Sequence, residues 1–386
     1  MGFEAQKSWP ISLRSLLLVL FLALVRQSSF GASGLVIAWG SGLGTNVPPG
    51  LSNVVALAAG SAHCLALKQN GTVAGWGDDS YHQSTNGTLS GLSNVVAVAA
   101  GLHHSLALKT DGTVIAWGQN TYAQSTVPVG LSNVVAIAGG DYHSLALRSN
   151  GTLVNWGQYS DGGLSPSTNP IPSSIAGIAA IAAGANHDLL LRSNGTVMAW
   201  GWNGNGQTNV PADLTNVVRI AAGGDDSLAL KADGTLRCWG RNDHNQADVP
   251  GSVTNVMAMA AGINHNLALK ANGSVTGWGW NQDGQLNIPV GIPSLLAIAA
   301  GEQDSLALVA TAASTSFSIF NPVLSNQTFN VSVASVTGKT YRLEFKDAVA
   351  GSNWGILPSI PGDGLIKRLS DPAATGTHRF YRVREW

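Results

Sequence analysis

An internal repeat constrains this chain more than any other feature of its sequence. The pattern G-T-V-x-x-W-G recurs, with small variations, ending at Trp39-Gly40, Trp76-Gly77, Trp117-Gly118, Trp156-Gly157, Trp200-Gly201, Trp239-Gly240 and Trp278-Gly279. A second pattern, A-G-x-x-H-S-L-A-L-K, is anchored by Gly60, Gly101, Gly140, Gly184, Gly223, Gly262 and Gly301. Successive glycines lie 41, 39, 44, 39, 39 and 39 residues apart. Within one unit, Val55 to Ala59, His63 to Lys68 and Thr72 to Trp76 are short apolar runs parted by Gly60 and by Asn70-Gly71. Each unit therefore reads as an antiparallel meander. Asn-Gly or Asp-Gly at the second turn predicts a two-residue hairpin with positive φ at both central positions. Segments such as Thr126 to Asn133 leave room for a fourth, outer strand.

Apolar residues fall on both faces of these strands, so each small sheet needs a similar sheet on either side. Radial stacking meets that demand, whereas a parallel solenoid conflicts with a hairpin in every unit. Composition agrees: charged residues are 11% of the chain and glycines number 47, which suits short, tightly turned strands buried on both faces. The two patterns are out of phase at the ends. The first W-G strand, Leu35 to Trp39, has no meander of its own, and the last meander, Leu295 to Leu308, has no W-G strand. Pairing them closes a ring and removes its free edges. The fold class expected is all-β: a seven-bladed β-propeller over 34–309, closed by N- and C-terminal strands, then a linker over 310–316 and a small β-sandwich-like module over 317–386.

The first 33 residues read as a signal peptide, with Lys7 and Arg14 before an apolar run from Leu16 to Val25 and small residues at Gly31, Ala32 and Ser33. That run is about half of what spans a bilayer, so no membrane span is expected after cleavage. A secreted or envelope-associated protein follows. Net charge is −1, which gives no reason to expect nucleic acid as a partner. Cys64 and Cys238 stand in non-neighbouring repeats, at the places of Ser105 and Ala116 in the second full repeat, and read as buried thiols.

The motifs Ala100 to Leu108 and Gly112 to Gly118 resemble the repeats of the regulator of chromosome condensation family. The resemblance covers roughly residues 34 to 309 and implies the propeller. Its members include nuclear exchange factors and many binding modules, so it implies no single activity. The linkers Trp200 to Pro211 and Trp278 to Pro289, of the form W-G-x-N-x-x-G-Q-T-x-V-P, are similar to those of secreted bacterial members, one group of which inhibits β-lactamases. That group carries aromatics on the G-x-x-H turns. Here the turns hold only one, Tyr142, so that inhibition is not expected.

His63, His104, His143, His187 and His265 share one repeat position, filled by Asp226 and Asp304 in the other two units. A metal ring would require them to meet in the channel; the expected role is a side-chain hydrogen bond to backbone at each turn, which Asp can also make. Each His precedes Ser or a substitute, but strand neighbours point to opposite faces and form no catalytic pair. No cofactor or metal is expected, and no unique set of convergent carboxylates marks an enzyme.

The strands and turns are nearly uniform among the units, so discrimination must lie in the loops that follow W-G. Tyr81, Tyr122, Tyr159, Trp202, His244 and Trp280, with Asp79, Asp161 and Asp283, are the candidate contact residues. The loop face is expected to be acidic and the opposite rim, with Lys68, Lys109, Arg148, Arg192, Lys231 and Lys270, basic. Gln158 to Gly177 and Asp78 to Ser90 exceed the repeat, and insertions are where a ring of equal blades acquires a distinctive site. The expected function is a monomeric binding module that recognises a protein or surface polymer through the loop face; the alternative is a propeller enzyme acting on polysaccharide. In the terminal segment, Phe329 to Val333, Thr340 to Phe345, Leu365 to Leu369 and Phe380 to Arg384 alternate as strands. Its ending resembles terminal modules closing on F-Y-R-V in secreted bacterial repeat proteins, which implies envelope attachment or export sorting.

Overall fold

The computed structural model describes residues 34–84, 91–160, 166–167, 171–172, 175–292 and 295–310, and then 319–325, 328–334, 338–346, 355–362, 366–372 and 380–385. The expected signal peptide (1–33) and the linker from 311 onward lie outside the described residues. The chain divides into two compact units, one spanning 28–316 and one holding 317–386.

The larger unit begins with β1 (Gly34–Gly40), which stands apart from the repeats. The first repeat follows as β2 (Val54–Ala59), β3 (His63–Lys68) and β4 (Val73–Gly77). The same three-stranded antiparallel sheet recurs over Val95–Gly118, Val134–Gly157, Ile178–Gly201, Val217–Gly240 and Val256–Gly279. Six repeats thus build six like sheets. A further pair, Leu295–Ala300 and Asp304–Ala310, takes β1 as its third strand, with Trp39 opposite Ser305 and Gly40 opposite Asp304. In β3 and β4 Trp76 lies opposite Cys64 and Gly77 opposite His63. β1 therefore occupies the register of the missing W-G strand.

Stacking of sheet on sheet accounts for the burial. In β3 the residues His63, Cys64, Leu65 and Ala66 have no exposed surface, and the Leu-Ala-Leu triplets of the other repeats are likewise buried. Leu65, Leu67 and Val73 pack with Ala107 and Trp117 of the next repeat, while Ala66 and Trp76 pack with Leu306 and Leu308 of the last. Near the axis the G-x-x-H turns join head to tail. Ser61 N–H donates to Leu102 O, Leu102 to Gly140 O, Asp141 to Ala185 O, Ala185 to Gly224 O, Gly224 to Gly262 O, Ile263 to Gly301 O, and Glu302 back to Ser61 O. The circuit returns to its start. Glycine is required there by crowding: a Cβ on Gly101 would lie 2.2 Å from both Gly140 O and the His104 ring.

Two local expectations are corrected. At the Asn-Gly turn only the glycine has positive φ, 77° at Gly71. Lys68 N–H donates to Thr72 O and Gly71 N–H to Lys68 O, which makes a three-residue loop with glycine at the bulge, and the Asn70 side chain caps Thr72 N–H. The outer segment Thr126 to Asn133 forms no strand. Pro128 cannot donate to a ladder and Val129 beside it is fully exposed, so the segment is anchored instead by buried Leu131 and by Arg148 donating to Gly130 O.

In the C-terminal unit, Thr328–Ala334 pairs with Ile319–Ser325 and Ile366–Asp371, and Thr340–Lys346 pairs with Gly355–Pro361 and Phe380–Glu385. Val331, Val333, Tyr341, Leu343 and Leu369 form one core between these sheets. The strands at 319–325 and 355–361 escape a sequence reading because Pro322 and Pro358 interrupt them. Both are edge strands, and the pairing shifts register beside each proline.

Candidate functional site

The loops after W-G hang from a buried polar belt that the sequence reading did not anticipate. Gln83, Gln124, Gln207, Gln246 and Gln285 have no exposed surface. The carbonyl of Gln83 accepts the Trp117 indole N–H at 2.8 Å and the Ser105 hydroxyl at 2.8 Å, both from the next repeat. Its side-chain oxygen accepts the Tyr81 backbone N–H, two residues back in the loop. Gln124 does the same for Trp156, Ser144 and Tyr122. Each glutamine thus ties the loop of one repeat to the strands of the next and fixes the backbone of the residue two before it. Those residues are Tyr81, Tyr122, Asn205, His244 and Asp283.

The shared histidines belong to the same belt, and the expected bond to backbone is replaced by a bridge between repeats. His63 Nε2 lies 2.9 Å from Ser105 Oγ, His104 Nε2 2.9 Å from Ser144 Oγ, His187 Nε2 3.0 Å from Ser227 Oγ, and His265 Nε2 2.9 Å from Ser305 Oγ. Each serine donates its proton to a glutamine carbonyl, so the imidazole is the donor in the pair. Histidine and serine do meet, then, but across repeats and wholly buried, with the hydroxyl proton already committed. Burial pushes His63, His187 and His265 down to about 4 and His104 to about 3. Asp226 accepts from Asn266 Nδ2, and Asp304 faces Cys64; burial raises these carboxyls to about 7 and about 6. Cys64 and Cys238 are free thiols.

On this belt the candidate contact residues fall into clusters. Tyr81 is exposed and its ring lies 5.2 Å from that of His103; Tyr122 meets Tyr142 edge to face at 5.0 Å. His103 and Tyr142 sit on G-x-x-H turns, so loops and turns share one face. His244 packs on Trp280 at 4.1 Å, and Asp283 accepts from the Trp280 indole and from Ser41 Oγ. Trp202 is half-buried with its six-membered ring over Gly204, where a Cβ would lie 2.3 Å from it. Asp79 caps its own loop by accepting from Ser84 N–H and Oγ.

Tyr159 departs from the expected contact set. It is buried, its ring is stacked 4.0 Å from His143, and its hydroxyl donates to Asp188 at 2.5 Å. Asp188 in turn accepts from His143 Nε2 at 2.9 Å. The insertion that begins at Gln158 carries no glutamine of the belt, and Tyr159 with Asp188 fills the gap. Asp161 lies outside the described residues.

The expected division of charge is softened on both faces. Asp111 and Asp233, in the Asp-Gly turns, pair with Lys109 and Lys231 on the basic rim. On the loop face Arg241 pairs with Asp243 and lies 3.9 Å from Asp225. Asp225 and Glu302 both act through space on the charge of Asp141. Among the described residues no group of His, Cys, Asp and Glu is arranged to hold a metal ion, and no helix is long and apolar enough to cross a membrane.

These features define a repeat propeller whose uniform interior supports one face of variable side chains. Residues 54–83, 95–124, 134–162, 178–207, 217–246 and 258–285 match the regulator of chromosome condensation (RCC1) repeat. The chain belongs to that repeat family. Among solved structures it is similar to Prp20p from Saccharomyces cerevisiae, 22% identical, with a TM-score of 0.61 over 74% of this chain and 93% of Prp20p. It is also similar to human WBSCR16, 19% identical, with a TM-score of 0.54 over 71% of this chain and 98% of the other. The ectodomain of the receptor kinase CR4 from Physcomitrella patens is 21% identical, with a TM-score of 0.51 over 70% and 68%. These likenesses establish the fold. No curated protein matches the sequence significantly.

Proposed function

We propose that the chain is an exported binding module: a seven-bladed ring, six repeats and a seventh blade closed by β1, that recognises a protein through its loop face without catalysing a reaction. One observation carries this reading. Buried glutamines hold a fixed backbone position in every regular loop, and the side chain displayed there changes from Tyr81 and Tyr122 to Asn205, His244 and Asp283. A constant support with a variable display is how a repeat scaffold acquires a partner. Aromatic pairs supply contact area at small entropic cost, and neighbouring carboxylates steer a basic partner. Binding is a role this fold performs elsewhere, since Prp20p is described by its binding to Gsp1p and histones. The basic C-terminal module serves attachment to the envelope or sorting during export.

Affinity capture from native secretions with residues 34–386 tests the proposal. Wild-type protein and Lys109→Ala/Lys231→Ala should retain the same partner, and Trp202→Ala/Trp280→Ala should lose it while melting within about 2 °C of wild type. Retention by the tryptophan variant with loss by the lysine variant would reverse the assignment of the face.

A further inference from the structure

The circle of G-x-x-H turns surrounds an axial cavity of about 80 Å³, walled by Gly60, Gly101, Gly140 and their counterparts. The first variable position of the turns reads Ser61, Leu102, Asp141, Ala185, Gly224, Ile263 and Glu302 around the ring. Small and apolar side chains fill most of it. Asp141 interrupts them: it lines the cavity, is partly buried, and its carboxyl makes no hydrogen bond or ion pair among the described residues. Asp225 and Glu302 both act on its charge through space, and His143 acts on it in the opposite sense. Glu302 is held in place by the Ser61 hydroxyl, and Asp225 is part-neutralised by Arg241. A carboxylate without a counter-charge in such a place costs stability. Tyr142, the next residue, carries the Tyr122 ring against its own.

We propose that this mouth receives a cationic side chain, the ammonium of a lysine or the guanidinium of an arginine, from the protein that binds the loop face. The cavity admits several water-sized groups, which matches the head of such a side chain. Among the described residues no three ligands stand close enough to hold a metal ion, so a spread organic cation suits the mouth and a metal does not. Tyr142, next to Asp141 in the chain, and Tyr122 packed on it offer rings on the same face, on which an aliphatic stem or a second cation of the partner can lie. Burial and the neighbouring acids push the Asp141 carboxyl up to about 6, so its charge, and with it the attraction for a cation, is lost as pH falls below that value. This inference rests on the binding reading and names the chemistry of the partner at the centre of the same face.

Titration calorimetry of residues 34–386 with tetralysine, at low salt and pH 7.5, tests it. Wild-type protein should bind the peptide and should not bind its Nε-acetylated form. Asp141→Asn/Glu302→Gln should weaken binding by about tenfold or more. Asp111→Asn/Asp233→Asn, which removes two acids from the opposite rim, should change it by less than about twofold. Lowering the pH to 5 should weaken wild type more than Asp141→Asn. The Asp141→Asn chain should melt no lower than wild type at pH 7.5, because a desolvated charge has gone; a merely structural aspartate would leave it less stable. Equal losses from the two double variants would overturn the pocket. In the capture experiment, a partner lost by Trp202→Ala/Trp280→Ala but kept by Asp141→Asn/Glu302→Gln leaves the loop face standing and removes the pocket. A captured polysaccharide held equally by both chains does the same, and a partner indifferent to all four positions removes both readings.

Discussion

At the junction between the first and second repeats, the Gln83 carbonyl takes the Trp117 indole and the Ser105 hydroxyl, and His63 completes the contact. At the junction between the third and fourth, no glutamine is present. Asp188 replaces the serine and accepts from His143, and Tyr159 enters from the insertion to satisfy the second oxygen of the carboxylate. The Trp200 indole N–H has no glutamine carbonyl to meet and stays buried without a hydrogen-bond partner among the described residues. The same joint is thus made twice, once by the repeat and once by an insertion that broke the repeat and mended it. The difference teaches that a departure from the repeat need not be a binding site. Tyr159 is distinctive because the belt needed it.

The comparison can be broken most severely where the ring has no repeat to lean on. Deleting residues 34–40 removes a strand that pairs along its whole length with Asp304–Ala310 and a buried tryptophan bonded to Gln285 O. Stability should fall by about 5 kcal/mol or more, read by urea denaturation; an unchanged midpoint would show that the ring does not depend on β1. Acidification comes next. The four imidazoles held down at about 3 to 4 take protons near 6.5 once unfolded, so their stabilisation is complete above about 6.5 and is lost as pH falls toward 4. Asp226, Asp304 and Asp141, raised to about 7, about 6 and about 6, act in the opposite sense, favouring the folded chain at low pH and losing that effect as pH rises through those values. Four groups against three leave a net loss on the order of 3 kcal/mol between pH 6.5 and 4, measurable as a falling urea midpoint. A flat profile would mean that the imidazoles are not buried neutral.

The third test bears on the irregular joint itself. Tyr159→Ala should cost about 4 kcal/mol, since it empties the space over His143 and strips a buried carboxylate of a donor, and Tyr159→Phe about 2 kcal/mol through the hydroxyl alone. Thermal denaturation reads both. If Tyr159→Phe melted with wild type and instead lost the captured partner, the residue would belong to the face after all.

Much of the larger unit is legible in the sequence because the same physics is written repeatedly. The strand runs, the register of β1 and the glycine turns follow from the W-G and G-x-x-H patterns alone. The polar belt escapes such a reading, although its signal is present. The glutamine of N-x-x-G-Q recurs at one place in the loops, but glutamine is ordinarily a surface residue, and only the folded chain shows its carbonyl under the next tryptophan. Histidine reads as a local turn former because strand alternation excludes only its own neighbour, and a partner some 40 residues away cannot be seen from spacing within one unit. Tyr159 defeats the sequence reading for a related reason: aromatic residues in loops look alike until burial separates Tyr81 from Tyr159. The prolines of the C-terminal strands hid two edges that tolerate them.

The central claim is that the loop face binds and the rest of the ring supports it. Hydrogen exchange of the wild-type chain, free and in complex with the protein it captures, tests this most directly. The account predicts slowed exchange in the loops around Tyr81, Tyr122, Trp202, His244 and Trp280 and at the turns bearing His103, Asp141 and Tyr142, with no change at the opposite turns around Gly71, Gly112, Gly151 and Gly234. Protection confined to those opposite turns, or to residues 319–385, would contradict it.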